Sequence, residues 1–427
     1  MIQTMRLLAF RHFFFLSALS LFLIGCAFYD LKKEIEDSEK LHSLAGKVAT
    51  PSARKEPVVV LLYSEKKEMI KYTLTQDTGH FSFLAAAGTY YLAAFEDLNN
   101  NLTSDDGEPA GFYGRPDPIV LPASGPAAAG TGSRLDLDIR LSKASLAGQG
   151  FETGIDMQKA SAKPLAKFGQ ITTLDDKIFS QENGSTGYWK PLTFLRDFGV
   201  GIYFLEPYHP DKIPVLFVHG ANGTPVGWKK IVAQLDRTRY QPWFYYYPSG
   251  FRLGDVTRAL NNILKRLHDT YRFNTLYITA HSMGGLVSRA LIVKRVFEDQ
   301  QDYIKLLVSI STPWNGHAVA AKGVEQAPVA VPSWHDMAPD SDFIRSIYKS
   351  KLPADVRFCL FFSFRGNCSL FMQNNDGAVE LASELDYRAQ ADAARIMGFN
   401  EDHDSILTSQ KFIDQYIQVL TAYQDRD

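Results

Sequence analysis

The chain has 427 residues, 45% of them hydrophobic and 13% aromatic, with a formal net charge of −2. Length and apolar content support two packed domains and exclude a disordered or fibrous chain. A charge this close to zero excludes the basic footprint expected of a nucleic-acid partner. The first stretch, "MIQTMRLLAFRHFFFLSALSLFLIGCAFYD", carries Arg6 and Arg11 ahead of an apolar run. That is the charge-then-hydrophobe order of a secretory signal. Removing residues 1–25 deletes those two arginines and no acid, which takes the formal charge to about −4.

The apolar run ends in Leu23-Ile24-Gly25-Cys26. This resembles the lipobox of bacterial lipoproteins. The resemblance implies cleavage before the cysteine, lipid attachment at Cys26, and residence in a bacterial cell envelope with the membrane as a partner. Ala27 stands where an acid would favour the inner membrane, which implies sorting to the outer membrane. The other reading of Leu7 to Phe28 is an uncleaved membrane anchor, interrupted by Arg11 and His12. Both readings put the bulk of the chain outside the cytoplasm. Residues 26–42 are charged and helical in composition, and read as a tether.

From Ser43 to about residue 144 the pattern becomes short alternating runs, "EPVVVLLYSE", "IKYTLTQ", "HFSFLAAAGTYYLAAFED" and "RLDLDIRLSK". Turn residues separate them, which is strand spacing and predicts a small all-β sandwich. The segment looks like the transthyretin-like or carboxypeptidase-regulatory-like accessory modules of exported proteins. "PASGPAAAGTGS" reads as a surface loop. In "DLNNNLTSDDGE", Asp97, Asn99, Asn101, Asp105 and Glu108 fall at positions of a calcium-binding loop. Leu102 replaces the glycine and no helices flank the loop, so it is not an EF-hand. The spacing is that of a structural calcium site or of an ordinary Asn/Asp turn.

Residues 145–427 read as a second domain of the α/β class. Two strand candidates, "QITTLDD" and "GVGIYFLEPY", flank a polar loop near "QENGSTGYW". Strands and helices then alternate: "PVLFV", a helix around Val226 to Leu235, "PWFYYYP", a helix from Asp255 to about His268, "TLYITA", a helix from Met283 to Phe297, and "IKLLVSIS". Near-continuous apolar strands alternating with helices predict a mostly parallel sheet with helices on both faces. Residues 317–353 interrupt the alternation as a cap, in which Val329, Val331 and Trp334 either face an acyl chain or pack on the domain below. Cys359 and Cys368 bracket a short loop in "FCLFFSFRGNC", which in an oxidising compartment allows a disulfide or leaves a buried thiol at Cys359.

The strand "LYITA" runs into His281-Ser282-Met283-Gly284-Gly285 and then a helix, the context of a nucleophile elbow. The alternative is that Ser282 only caps that helix. Four separated motifs, "VHGANG", "AHSMGG", "NNDGAV" and the segment around His403, stand in the order of the α/β-hydrolase esterases and lipases, which this domain resembles. The one departure is Ala280 for the usual glycine. The resemblance implies an α/β-hydrolase fold with Ser282 as nucleophile and backbone N–H groups of Ala221 and Met283 as the oxyanion hole. His219 is then structural. Chain order places the acid and then the base after Ser282. "MQNNDGAVELASE" resembles the Asp-Gly-x-Val turn of bacterial and plastid lipases, which implies Asp376 as the acid ahead of its competitors Glu380, Glu384 and Asp386, and the place of His403 just before a final amphipathic helix implies it as the base over His317 and His335. The implied activity is acyl-enzyme hydrolysis of a small-molecule or lipid ester with no required cofactor. Acyl transfer by the same triad and a non-catalytic envelope scaffold are the alternatives.

Overall fold

A computed structural model describes residues 28–38, 40–50, 58–75, 80–99, 101–122, 135–142, 146, 149–154, 166–297, 302–366 and 374–424. Residues 28–38 are helical as their composition suggests, but the helix is docked rather than free. Leu31 is fully buried, Asp30 pairs with Lys190 at 2.6 Å, and Glu34 accepts hydrogen bonds from the backbone and hydroxyl of Thr193. The tether reading is therefore corrected over these residues. One apolar side chain and two anions at helical spacing match a complementary patch far along the chain. No helix among the described residues is long and apolar enough to cross a membrane.

The next part forms two small sheets. His42–Ala49 pairs with His80–Ala85, Leu135–Asp136 and Ile139–Arg140, while Val58–Ser64 and Gly88–Glu96 centre a sheet with Met69–Thr75, Ala110–Phe112 and Ile119–Leu121. The run "VVVLLY" is apolar at every position because both faces of its strand are covered. Val58, Val60 and Leu62 meet Leu44, Phe83 and Leu92 between the sheets, whereas Val59, Leu61 and Tyr63 lie under Leu146 and Phe151. Each such burial removes a side chain worth about 1.5–3 kcal/mol from water.

The larger sheet has eight strands. Their order is Ala166–Ile171, Val200–Phe204, Tyr240–Tyr246, Ile213–Val218, Leu276–His281, Ile304–Ile310, Arg357–Ser363 and Arg395–Phe399. Neighbours are parallel except Val200–Phe204 against Tyr240–Tyr246, so the first two strands oppose the other six. Alternate side chains feed two cores. Leu216, Ile278 and Leu307 meet the helices Leu253–Tyr271 and Met283–Phe297 on one face, and Phe217, Tyr277 and Val308 meet Trp228, Phe412 and Tyr416 on the other. This is the α/β-hydrolase arrangement that the motif order implies, with the β sheets preceding it.

Some local readings differ, among them the strand read at "QITTLDD", which is Ala166–Ile171. "QENGSTGYW", read as a polar loop, is a helix, Gln181–Trp189. The helix expected around Val226 to Leu235 is a short 3-10 turn, Pro225–Trp228, followed by Lys229–Val232. The cap region holds three short helices, Ala318–Gln326, Pro332–Met337 and Asp342–Ser346. Val331 is fully buried and Trp334 packs against the core below, so these two side chains serve packing. Asp336 fixes the cap by accepting the Leu253 N–H and pairing with Arg252 at 2.8 Å. That helix has no side-chain cap of its own residue before it, so the carboxylate satisfies an orphan donor from outside.

Candidate active site

The strand Leu276–His281 gives way to the helix Met283–Phe297 at a single residue, Ser282, whose φ is +53°. A left-handed non-glycine residue costs about 1–3 kcal/mol and persists only where its surroundings hold it. Here Ser282 N–H donates to the carbonyl of Ile310 at 2.8 Å on the neighbouring strand. The two glycines that follow are steric requirements. A Cβ on Gly284 would strike the carbonyl oxygens of Val218 and His219, and one on Gly285 would strike Thr312. The helix thus sits against the end of the strand Ile213–Val218. Ala280 is fully buried without displacing the turn, so its substitution for glycine is accommodated.

The loop after that strand faces the serine. A Cβ on Gly220 would lie 2.8 Å from Ser282 Cβ, so only glycine lets the backbone pass this close. His219 holds the loop. Its Nδ1 is 2.8 Å from the Gly220 carbonyl, its ring stacks on Tyr247 at 4.2 Å, and the Tyr247 hydroxyl donates to the His219 carbonyl at 2.6 Å. Burial lowers the His219 pKa to about 4, only partly opposed by the Gly220 carbonyl, so the ring is neutral with Nδ1 as the donor. Neither Ala221 N–H nor Met283 N–H has a backbone or side-chain acceptor among the described residues. Tyr247, which the sequence motifs did not single out, is the anchor that lets His219 do this.

The helix Gln181–Trp189 lies behind the same loop. Gln181 donates to the Asn222 carbonyl at 2.9 Å, and Ser249 Oγ accepts the Asn222 N–H at 3.0 Å. Gly184 is the contact point, since a Cβ there would lie 2.6 Å from Thr224 Cγ2 and 3.1 Å from the Asn222 carbonyl. Glycines make poor helices alone. This one exists because Ser180 caps it and its Gly184 face fits a backbone ridge. Ser180 and glycines three apart were the only sequence signal.

Asp376 and His403 meet as the motif order implies. His403 Nδ1 lies 2.5 Å from Asp376 Oδ2, and His403 N–H donates to the Asp376 carbonyl at 2.9 Å. Asp376 is fully buried and densely bonded, with Oδ1 accepting from Ala378 and Val379 N–H and Oδ2 from Ser363 Oγ. Burial alone would raise its pKa, but the hydrogen bond and charge of His403 and those two N–H groups prevail and hold it below the ordinary aspartate value. His281, one residue before the serine, contacts His403 through ring centroids 4.7 Å apart and through Nε2 and the His403 carbonyl at 2.8 Å. The imidazole therefore stands at the elbow. Burial, aided by repulsion from His403, drops the His281 pKa to about 3, leaving it a neutral strut.

The competitors are engaged in other ways. His317 caps the helix Ala318–Gln326, its Nδ1 accepting the Ala320 N–H at 3.3 Å, and His335 is exposed on the cap beside Arg252. Asp386 is bonded to Arg388 at 2.8 Å, and Glu380 precedes the short helix Leu381–Glu384. Glu384 and His317 share the neighbourhood of Asp376, Glu384 from the helix Leu381–Glu384 and His317 from the N-terminus of the helix Ala318–Gln326.

The remaining expectations lie outside this cluster. Asp97 accepts the N–H groups of Asn101 and Leu102, Glu108 those of Leu98 and Asp105, and Asp105 takes the amides of Asn99 and Asn101. The carboxylates that the spacing offered to calcium are thus engaged by the loop itself. Among the described residues no group of three or more His, Cys, Asp or Glu could hold a metal ion. Cys359 is a buried free thiol with Sγ 3.8 Å from the Tyr423 hydroxyl. Cys368, which the sequence offered as one partner for a disulfide, and Cys26, where the lipobox resemblance implies a lipid, fall outside the described residues.

Residues 252–418 match the model of a family described as alpha/beta hydrolases of unknown function (DUF915), a span that contains Ser282, Asp376 and His403. No curated protein matches the chain. Similar solved structures include a mature lipase of Bacillus licheniformis, 18% identical with a TM-score of 0.41, covering 51% of this chain and 97% of that one. The product of the Listeria innocua gene lin2722 is 17% identical with a TM-score of 0.38, covering 49% and 94%. Lipase B of Aspergillus fumigatus is 14% identical with a TM-score of 0.40, covering 52% and 56%.

Proposed function

We propose that this α/β-hydrolase-fold chain is a serine carboxylic ester hydrolase of the lipase or esterase type, working in the bacterial cell envelope. The carrying observation is the hydrogen-bonded Asp376–His403 pair standing at the strained Ser282 turn. In this reading His403 takes the Ser282 proton as Oγ attacks the ester carbonyl, and Asp376 fixes the tautomer and steadies the imidazolium. The oxyanion is held by the N–H groups of Ala221 and Met283. His403 then gives the proton to the leaving alcohol. Water, deprotonated by the same imidazole, releases the acid from Ser282. The test is a panel of p-nitrophenyl acyl esters, phospholipids and peptides. Ester cleavage with chain-length preference is expected, and cleavage of peptides alone, or of nothing by folded protein, would overturn the reading.

Two further expectations follow from it. Gly184→Val lowers kcat about 10- to 100-fold, because the new side chain must push the loop carrying Ala221 and a shift near 1 Å is worth about that much. Helix propensity alone favours the replacement, so an unchanged or higher kcat would show that the helix does not set the loop. For location, lipid on Cys26 leaves only Ala27 before the docked helix of residues 28–38, which holds the catalytic body close to the bilayer and its substrates. Cys26→Ala should leave the precursor unlipidated, with no incorporation of labelled fatty acid. Retained label would exclude the lipid anchor.

A further inference from the structure

Behind the triad acid lies a second carboxyl group. Glu384, at the end of the helix Leu381–Glu384, is 1% exposed. Its Oε2 accepts the Ser363 N–H at 3.2 Å, while Oε1 is buried without a well-formed hydrogen bond, with the Ser311 hydroxyl and the Asp376 carboxylate bearing on the same carboxyl group. The hydroxyl of Ser363 donates onward to Asp376 Oδ2 at 2.9 Å and meets Ser311 Oγ at 2.6 Å. Asp376 is itself the neighbouring acceptor on the Glu384 side. Two ionised carboxylates facing each other in a dry site repel strongly, and a buried oxygen without a good donor adds a desolvation cost. One proton removes both penalties.

We propose that Glu384 is a positioning residue held as a neutral carboxylic acid, its Oε1–H donated toward Asp376, so that the Asp376–His403 pair works with one negative charge rather than two. This rests on the triad reading and deepens it. The titratable groups involved are Asp376, packed against it, His403 beyond Asp376, and His317, which interacts with both from the cap helix. Burial is the main cause that lifts the Glu384 pKa far above the ordinary glutamate value, with the Asp376 charge second. The neutral form keeps the acceptor and donor roles of the site without a second charge. An ionised Glu384 would instead stabilise the His403 imidazolium further, so that more of the ring is already protonated near neutral pH and cannot take the Ser282 proton.

The sign of the pH effect follows from linkage. The unfolded chain releases this proton near the ordinary glutamate pKa while the folded chain retains it, so stability falls with rising pH between the two values. Glu384→Gln, which cannot titrate, lacks that decline and gains stability over the wild type as pH rises.

Three measurements on the full-length protein decide the proposal. With 13C-carboxyl glutamate in the wild type, one resonance should keep the shift of a protonated acid at pH 7, whereas every glutamate ionised at pH 7 would overturn it. This needs no variant to fold and no activity. In kcat/KM profiles the acidic limb should stay within about 0.3 unit of wild type in Glu384→Gln, since no charge is lost. A downward move of about one unit or more would mean that a negative charge had been removed, and would also overturn it. Glu384→Ala should lose about 10-fold or more in kcat/KM and Glu384→Gln should recover most of that loss. Equal losses in both would overturn the donor role. Turnover surviving in Ser282→Ala would instead bring down the triad reading while the resonance still reported on Glu384.

Discussion

Ser282→Ala is expected to lose fluorophosphonate labelling entirely and to lose about 10^6-fold in kcat, the scale on which removal of a serine nucleophile removes the whole relay. Only a serine beside an imidazole and an oxyanion hole reacts readily with such a probe. The melting temperature should change by no more than a few degrees, because alanine meets the same φ of +53° and the Ser282 N–H still bonds the Ile310 carbonyl. Ser282→Gly separates chemistry from strain. Glycine tolerates the left-handed turn, so this variant should be equally inactive and more stable than the wild type. The strain at Ser282 would then be the part of folding stability given up to present the hydroxyl. Probe labelling at another residue in Ser282→Ala, or turnover retained there, would sink the nucleophile assignment.

His403→Ala should lower kcat by several orders of magnitude, leaving what the oxyanion hole and binding supply unaided. Asp376→Asn should cost about 10^4-fold or less. The reason is visible in the site. An asparagine Oδ1 can still accept from Ala378 and Val379, but its amide would then present a donor to His403 Nδ1, which needs an acceptor. The ring is forced into the wrong tautomer. Combining the two changes should be hardly worse than His403→Ala, since residues acting as one unit are not additive. His317→Ala and His335→Ala serve as the contrast, because the first loosens the N-terminus of the helix Ala318–Gln326 and its contact beside Asp376 without removing the imidazole bonded to Asp376, and the second is exposed. If either abolished turnover while His403→Ala remained active, the base would belong to the cap.

The amino-acid sequence by itself determined the features written in local backbone chemistry and in periodicity. Apolar runs such as "VLFV" and "TLYITA" marked parallel strands because those strands are buried on both faces. Small residues around Ser282 and the glycine after His219 marked the places where backbones touch. The resemblance of the "NNDGAV" turn and of the segment around His403, in the order serine, acid, histidine, picked out Asp376 and His403, which the fold then brought within a hydrogen bond. Tertiary structure alone decided the rest. A glycine-rich polar stretch became the helix Gln181–Trp189 because a loop about forty residues away offers its Gly184 face a complementary ridge. The charged N-terminal segment docked because Lys190 and Thr193 answer Asp30 and Glu34. Glu384, indistinguishable in sequence from any acid near the motif, acquired its character from burial against Asp376. A motif fixes torsions within a few residues, whereas burial, protonation and docking are set by whatever distant segments the fold packs around a side chain.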